Sequence, residues 1–205
     1  MGVYSGGSGT AGYPYLISNS SDWEELVVTS ADWGDNFLVT NDIDFEDSNP
    51  SSKTIGKITG AIFTGTFDGG GYTFSNAIIE DTPDAQNGMA LFVRVGPATI
   101  KNLILNNFII AGTTPNIGSG YCGALVAESG IRSLIENCHL INCYVSMIYT
   151  EVSEPIYCGA MIGANHGSVN NCFVSGGSVD YVKFQQTFEE KEQERKKMEF
   201  DIVLD

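Results

Sequence analysis

The stretch IENCHL, residues 135–140, sets an asparagine, a cysteine and a histidine side by side. A thiol next to an imidazole is the raw material of nucleophilic catalysis, or half of a metal site. A second set lies in NDIDFED, where Asp42, Asp44 and Glu46 alternate along the chain and Asp47 adds another oxygen donor at the start of a loop. Carboxylates that alternate on a strand share one outward face, where they could hold a hard cation such as Ca2+ or engage a sugar. Asp68 in FDGGGY and His166 in NHG are further residues of catalytic type. Tyr121, Tyr144, Tyr149 and Tyr157 offer flat rings that could contact a ligand by stacking on sugars, or could pack their own loops.

What these residues can do depends on what positions them, and the chain repeats. FSNAII (74–79), IKNLIL (100–105), IENCHL (135–140) and VNNCFV (169–174) align on Asn76, Asn102, Asn137 and Asn171, in steps of 26, 35 and 34 residues. Apolar residues flank each asparagine at matching offsets. A second motif runs in phase: GMALFV (88–93), CGALVA (122–127) and CGAMIG (158–163). The Gly, Asn and β-branched content excludes helical solenoids. The remaining architecture is all-β, a parallel β-solenoid of about four or five coils in which equivalent residues stack at about 4.8 Å. Asparagine suits such a stack because it tolerates a left-handed bend and its amide both donates and accepts.

Cys138 stacks between Leu103 and Cys172 as a small apolar filler, the usual role of a buried thiol. His139, next along a strand, faces the other way, so the two cannot act as nucleophile and base. The carboxylates of 42–47 read either as a cation or sugar site or as a solvated strand face. Asp68 fixes a glycine turn, and FDGGGY opens no helix and is no phosphate loop. No nucleophile is spaced to meet His166.

The flanks differ from the repeats. Ser21 or Asp22 is expected to cap a short helix bearing Trp23, Leu26 and Val27, which closes the open N-terminal end of the solenoid. DNFLVTNDIDF reads as one strand. Segments 80–87, 111–121 and 144–157 read as polar excursions, loops or irregular strands. Residues 1–183 form the solenoid with its cap. Residues 184–205 change character and are expected to be a short charged C-terminal α-helix or tail.

Charge narrows the function. With 10 Lys+Arg against 25 Asp+Glu, the formal charge is −15, which repels phosphate backbones and excludes nucleic acid as a partner. No apolar run approaches the roughly 18 residues of a membrane span. MGVYSGGSGTAG carries no visible signal peptide. Five cysteines are an odd count, which argues against a disulfide framework.

GTAGYPYLIS, FLVTNDIDF, FTGTFDGGGYTFSNAII and the pairs GALVAESG…IENC and GAMIGANHG…VNNC resemble the GLUG-type repeat proteins. The resemblance covers roughly residues 9–180. It implies a right-handed parallel β-helix and an extracellular or cell-surface location, in a family that includes adhesins, and it implies no catalytic residue. The expected function is a non-enzymatic, adhesin-like module that contacts a glycan or protein, without a required cofactor, and that is open to homo-oligomer formation. A carbohydrate-active enzyme and a structural spacer of a larger assembly such as a phage fibre are the alternatives. The enzyme reading requires two or more carboxylates grouped across successive coils. Lys101, Glu136 and Asn170, which share one outward position, do not provide that.

Overall fold

A computed structural model of the chain describes residues 2–46, 54–56, 60–80, 88–114, 120–149 and 155–183. The chain winds as an all-β parallel solenoid, and each full circuit contributes one strand to each of five parallel sheets. The first sheet stacks Tyr15–Ile17, Asn36–Val39, Thr66–Asp68, Thr99–Lys101, Leu134–Glu136 and Ser168–Asn170. The second stacks Ile43–Asp44, Thr73–Ser75, Ile104–Asn106, His139–Ile141 and Phe173–Ser175. The third stacks Ile78–Glu80, Ile109–Thr114, Tyr144–Tyr149 and Ser178–Lys183. The fourth holds Gly88–Met89, Gly120–Cys122 and Ile156–Cys158, and the fifth Phe92–Val95, Val126–Ser129 and Ile162–Asn165. About three circuits are complete, fewer than the four or five expected from the repeats. Among the described residues the shortfall lies at the ends: the strands before Thr66 enter only the first two sheets, and the last described strand is in the third.

Register explains the sequence pattern. Phe37, Phe67, Ile100, Ile135 and Val169 form one inward column, and Ile43, Phe74, Leu105, Leu140 and Val174 another. Because side chains alternate across a strand, one residue per three-residue strand points inward, and the short strands read as apolar centres between polar flanks. Ile100, Ile135, Leu105 and Leu140 are buried, whereas Val169 and Val174 in the final coil are 40% and 46% exposed, with no described coil above them.

Two corners, not one, carry the asparagines. Asn102, Asn137 and Asn171 turn the chain from the first sheet into the second, at φ 53°, 52° and 49°. Asn76, Asn107 and Asn142 turn it from the second into the third, at φ 57°, 56° and 51°. Asn76 therefore does not belong with Asn102, as the sequence alignment had it. Phe74 pairs with Leu105 and Ile78 with Ile109, which puts Asn76 under Asn107. In the last coil Gly176 takes the second corner at φ 68°, and a Cβ there would collide with the Asn142 side chain.

Other expectations are corrected. Cys122 and Cys158, at equivalent places of adjacent coils, form a disulfide across a Cα separation of 4.7 Å. An odd cysteine count says nothing about a pair brought together by stacking. DNFLVTNDIDF is two strands, separated by a corner at residues 40–42. Two of the regions read as loops or irregular strands contain regular ones: Ile109–Thr114, which runs into the first, and Tyr144–Tyr149 in the second pair residue by residue. The charged segment 184–205 and its expected helix lie outside the described residues.

The N-terminal end is closed by the helix Ser20–Val28. Its N-cap is Asn19, whose side chain accepts from Asp22 N–H at 3.0 Å, in place of the expected Ser21 or Asp22. Asp22 is instead turned inward, and its Oδ2 accepts from Ser5 Oγ, Ser18 N–H and Ser18 Oγ. Trp23 is fully buried and meets Phe67, Phe74 and Phe92 edge-on, with ring centroids 5.7, 5.3 and 5.9 Å away. The indole thus plugs the first full circuit where three inward columns converge.

Two substitutions read these features. Trp23→Ala is expected to cost about 3–5 kcal/mol in denaturant unfolding, as for other buried aromatic truncations. Asn137→Gly keeps the left-handed corner and loses the side-chain amide bonds, for about 1 kcal/mol; Asn137→Ala adds backbone strain of about 1 kcal/mol beyond that. Equal stability of all three chains would contradict the corner assignment.

Candidate functional site

The side chains of catalytic type are largely used as fasteners between coils. Asp68 Oδ1 accepts from Gly70 N–H at 3.0 Å and from Asn102 Nδ2 at 2.9 Å, and Lys101 Nζ lies 3.4 Å from Oδ2. Asn137 Nδ2 donates to Asn102 Oδ1 at 3.2 Å, and Asn171 Nδ2 to Asn137 Oδ1 at 2.7 Å. One ladder therefore runs from Asp68 through Asn102 and Asn137 to Asn171. A second runs from Asp44 through Asn76 to Asn107, with donor–acceptor distances of 3.0 and 2.8 Å. Each ladder begins on an aspartate, an acceptor without a donor, which suits the bottom of a stack in which every amide donates downward. Burial would raise the Asp68 carboxyl, but the Asn102 amide, the Gly70 N–H and Lys101 outweigh it and hold the group below its ordinary value.

The carboxylates considered for a cation are divided among these tasks. Asp42 Oδ1 accepts from Thr73 N–H at 2.8 Å, and Asp44 Oδ1 accepts from Glu46 N–H at 2.8 Å as well as from Asn76. The strand ends at Asp44, and Glu46 sits in the left-handed region at φ 56°, so the three do not alternate along one strand face. Asp47 lies outside the described residues. Among the described residues no group of three or more His, Cys, Asp or Glu side chains is placed to hold a metal ion.

The four tyrosines fall on two sheets. Tyr121 and Tyr157 pair across the fourth sheet, with parallel rings 5.3 Å apart and inclined by 7°. Each covers a face of the other, and those faces are lost to a sugar. Tyr144, 43% exposed, and the backbone of Tyr149 belong to the third sheet. Cys138 is buried, its Sγ 3.4 Å from Glu136 O, while His139 is exposed on the opposite face and packs edge-on against Phe173 at 5.2 Å. His166 lies in the turn after the fifth sheet, and its N–H donates to Ser129 O and to Ser129 Oγ. The Ser129 hydroxyl donates to Asn165 Oδ1 at 2.5 Å, which commits it to holding the turn.

The outward surface has a different organisation. Charges at equivalent positions alternate in sign: Asp68, Lys101 and Glu136 follow one another in the first sheet, and Arg94 Nε meets Glu128 Oε2 at 3.0 Å in the fifth. Ile141 and Phe173 on the second sheet and Tyr144 and Ile148 on the third are 36–57% exposed. Of these the sequence pointed to Tyr144 alone, because Ile141, Ile148 and Phe173 are scattered among polar residues and come from two coils.

The lowered Asp68 pKa gives a signed expectation. A depressed carboxyl stabilises the fold fully above its unfolded value near about pH 4, and the contribution disappears as pH falls through the lower folded value. Wild type should therefore melt above Asp68→Asn at neutral pH, with the gap closing in acid. A gap independent of pH would contradict an Asp68 carboxylate held by Asn102, Gly70 and Lys101. EDTA should leave Tm unchanged; a rise in Tm on adding Ca2+ would return Asp42 and Asp44 to a cation site.

No family model and no solved structure matches the chain. Among curated proteins it is similar to Halomucin of Haloquadratum walsbyi (strain DSM 16790 / HBSQ001), with 31% identity over 114 residues. The match covers 52% of this chain and 1% of Halomucin.

Proposed function

We propose that this chain is a non-enzymatic, extracellular repeat module of the GLUG type, presenting its second and third sheets as a flank for contact with a glycan or protein. The observation that carries the reading is the division of labour among side chains. Asp42, Asp44, Asp68 and the corner asparagines are engaged in holding one coil to the next. Ile141, Tyr144, Ile148 and Phe173 are left outward on adjoining faces. A disulfide between coils supports an oxidising compartment. No helix among the described residues is long and apolar enough to cross a membrane. The similarity to a protein named Halomucin supports a place in a much longer chain.

A glycan-array screen followed by an assay for polysaccharide cleavage tests this reading. The expected result is binding without turnover, weakened about tenfold by Tyr144→Ala or Phe173→Ala, as for other exposed aromatic contacts. Cleavage of any polysaccharide on the array would overturn the non-enzymatic reading. Binding unchanged in both variants would place the contact elsewhere.

A further inference from the structure

Three thiols stay outside the Cys122–Cys158 bond: Cys138, Cys143 and Cys172. Two of them share a column. Glu136 lies opposite Asn170 and His139 opposite Phe173, so the register on both sides sets Cys172 over Cys138. Their side chains are copies of each other, one coil apart. Cys138 Sγ lies 3.4 Å from Glu136 O and Cys172 Sγ 3.3 Å from Asn170 O. Each also reaches a carbonyl of the coil below, Ile100 O at 3.9 Å and Ile135 O at 3.7 Å. Cys122 and Cys158 stand in the same relation, on paired positions of adjacent coils, and they are bonded. In-register parallel strands hold such Cα atoms within the span of a disulfide. Cys143 has no such partner, because the register sets Phe108 below it and Gly177 above.

We propose that Cys138 and Cys172 are a second cross-coil disulfide site, closed by exchange with a low-molecular-weight disulfide, that latches the last coil to its neighbour. Cys172 is the attacking group. It is half-buried in the last described coil, and the Cys138 thiol beneath it draws its pKa down to about 6. The neighbouring Cys172 group, together with burial, pushes the Cys138 thiol up. The Cys172 thiolate attacks one sulfur of the small disulfide, whose S–S bond breaks and releases one thiolate. Cys138 then gives its proton to solvent and attacks the Cys172 sulfur, expelling the second thiolate. The protein loses two electrons and two thiol protons, and the small disulfide is reduced to two thiols. The bond would hold the coil whose Val169 and Val174 are exposed.

The test is peptide mapping of the full chain after equilibration with oxidised glutathione and alkylation of the remaining thiols. The expected map, run without reductant, contains a cross-linked peptide pair joining Cys138 to Cys172 beside the Cys122–Cys158 pair, with Cys143 alkylated. The oxidised chain should also melt above the chain with Cys138 and Cys172 reduced, and Cys172→Ser should abolish that increment while keeping the Cys122–Cys158 bond. Recovery of both thiols alkylated while Cys122–Cys158 is intact would overturn the proposal. So would a glutathione adduct on Cys172 that never resolves.

Discussion

The structure rests on parallel, in-register backbone pairing between circuits. Once the carbonyls and N–H groups of one coil are bonded to the next, each side chain lies about 4.8 Å from its counterpart one circuit away. Residue identity is then set by the column as much as by the neighbours in sequence. Inward columns must be apolar throughout, as in Phe67, Ile100 and Ile135. A column at a left-handed corner needs a residue that tolerates positive φ and satisfies its own polar atoms, and asparagine meets both requirements. Outward columns need charges that do not repel, and Asp68, Lys101 and Glu136 alternate accordingly.

The same constraint reorders the chemistry. Residues that look reactive in sequence are the ones that stacking consumes. Asp44 and Asp68 terminate asparagine ladders, Ser129 holds a turn through Asn165, and Cys138 fills the space beneath Cys172. An acidic chain of charge −15 offers many carboxylates, yet those of Asp42 and Asp44 are committed to backbone and amide donors. Stacking also creates reactivity that spacing along the chain hides, by bringing cysteines of successive coils into bonding range.

Much of the fold was legible because a repeated column leaves a repeated letter. The 35- and 34-residue steps from Asn102 to Asn137 to Asn171 gave the length of a circuit. The 26-residue step to Asn76 was the discordant one, and it marked a second corner. The signal was present in NLILNN and NCHLIN, where two asparagines five residues apart recur as Asn102 with Asn107 and Asn137 with Asn142. The regular strand Tyr144–Tyr149 was not legible, since Tyr144 and Ser146 on its outward face resemble a loop in composition. Nor was the inward turn of Asp22, because its partners Ser5 and Ser18 come from the chain preceding the helix. The Cys122–Cys158 pairing was hidden for a different reason: it follows from register, and a cysteine count carries none.

The most direct test of columnar stacking is a nuclear Overhauser spectrum of the 15N-labelled chain, read at the asparagine side-chain amides. The account predicts cross-peaks from Asn137 to Asn102 and to Asn171, and separately from Asn107 to Asn76. Cross-peaks between Asn76 and Asn102, or none between Asn137 and Asn102, would contradict it.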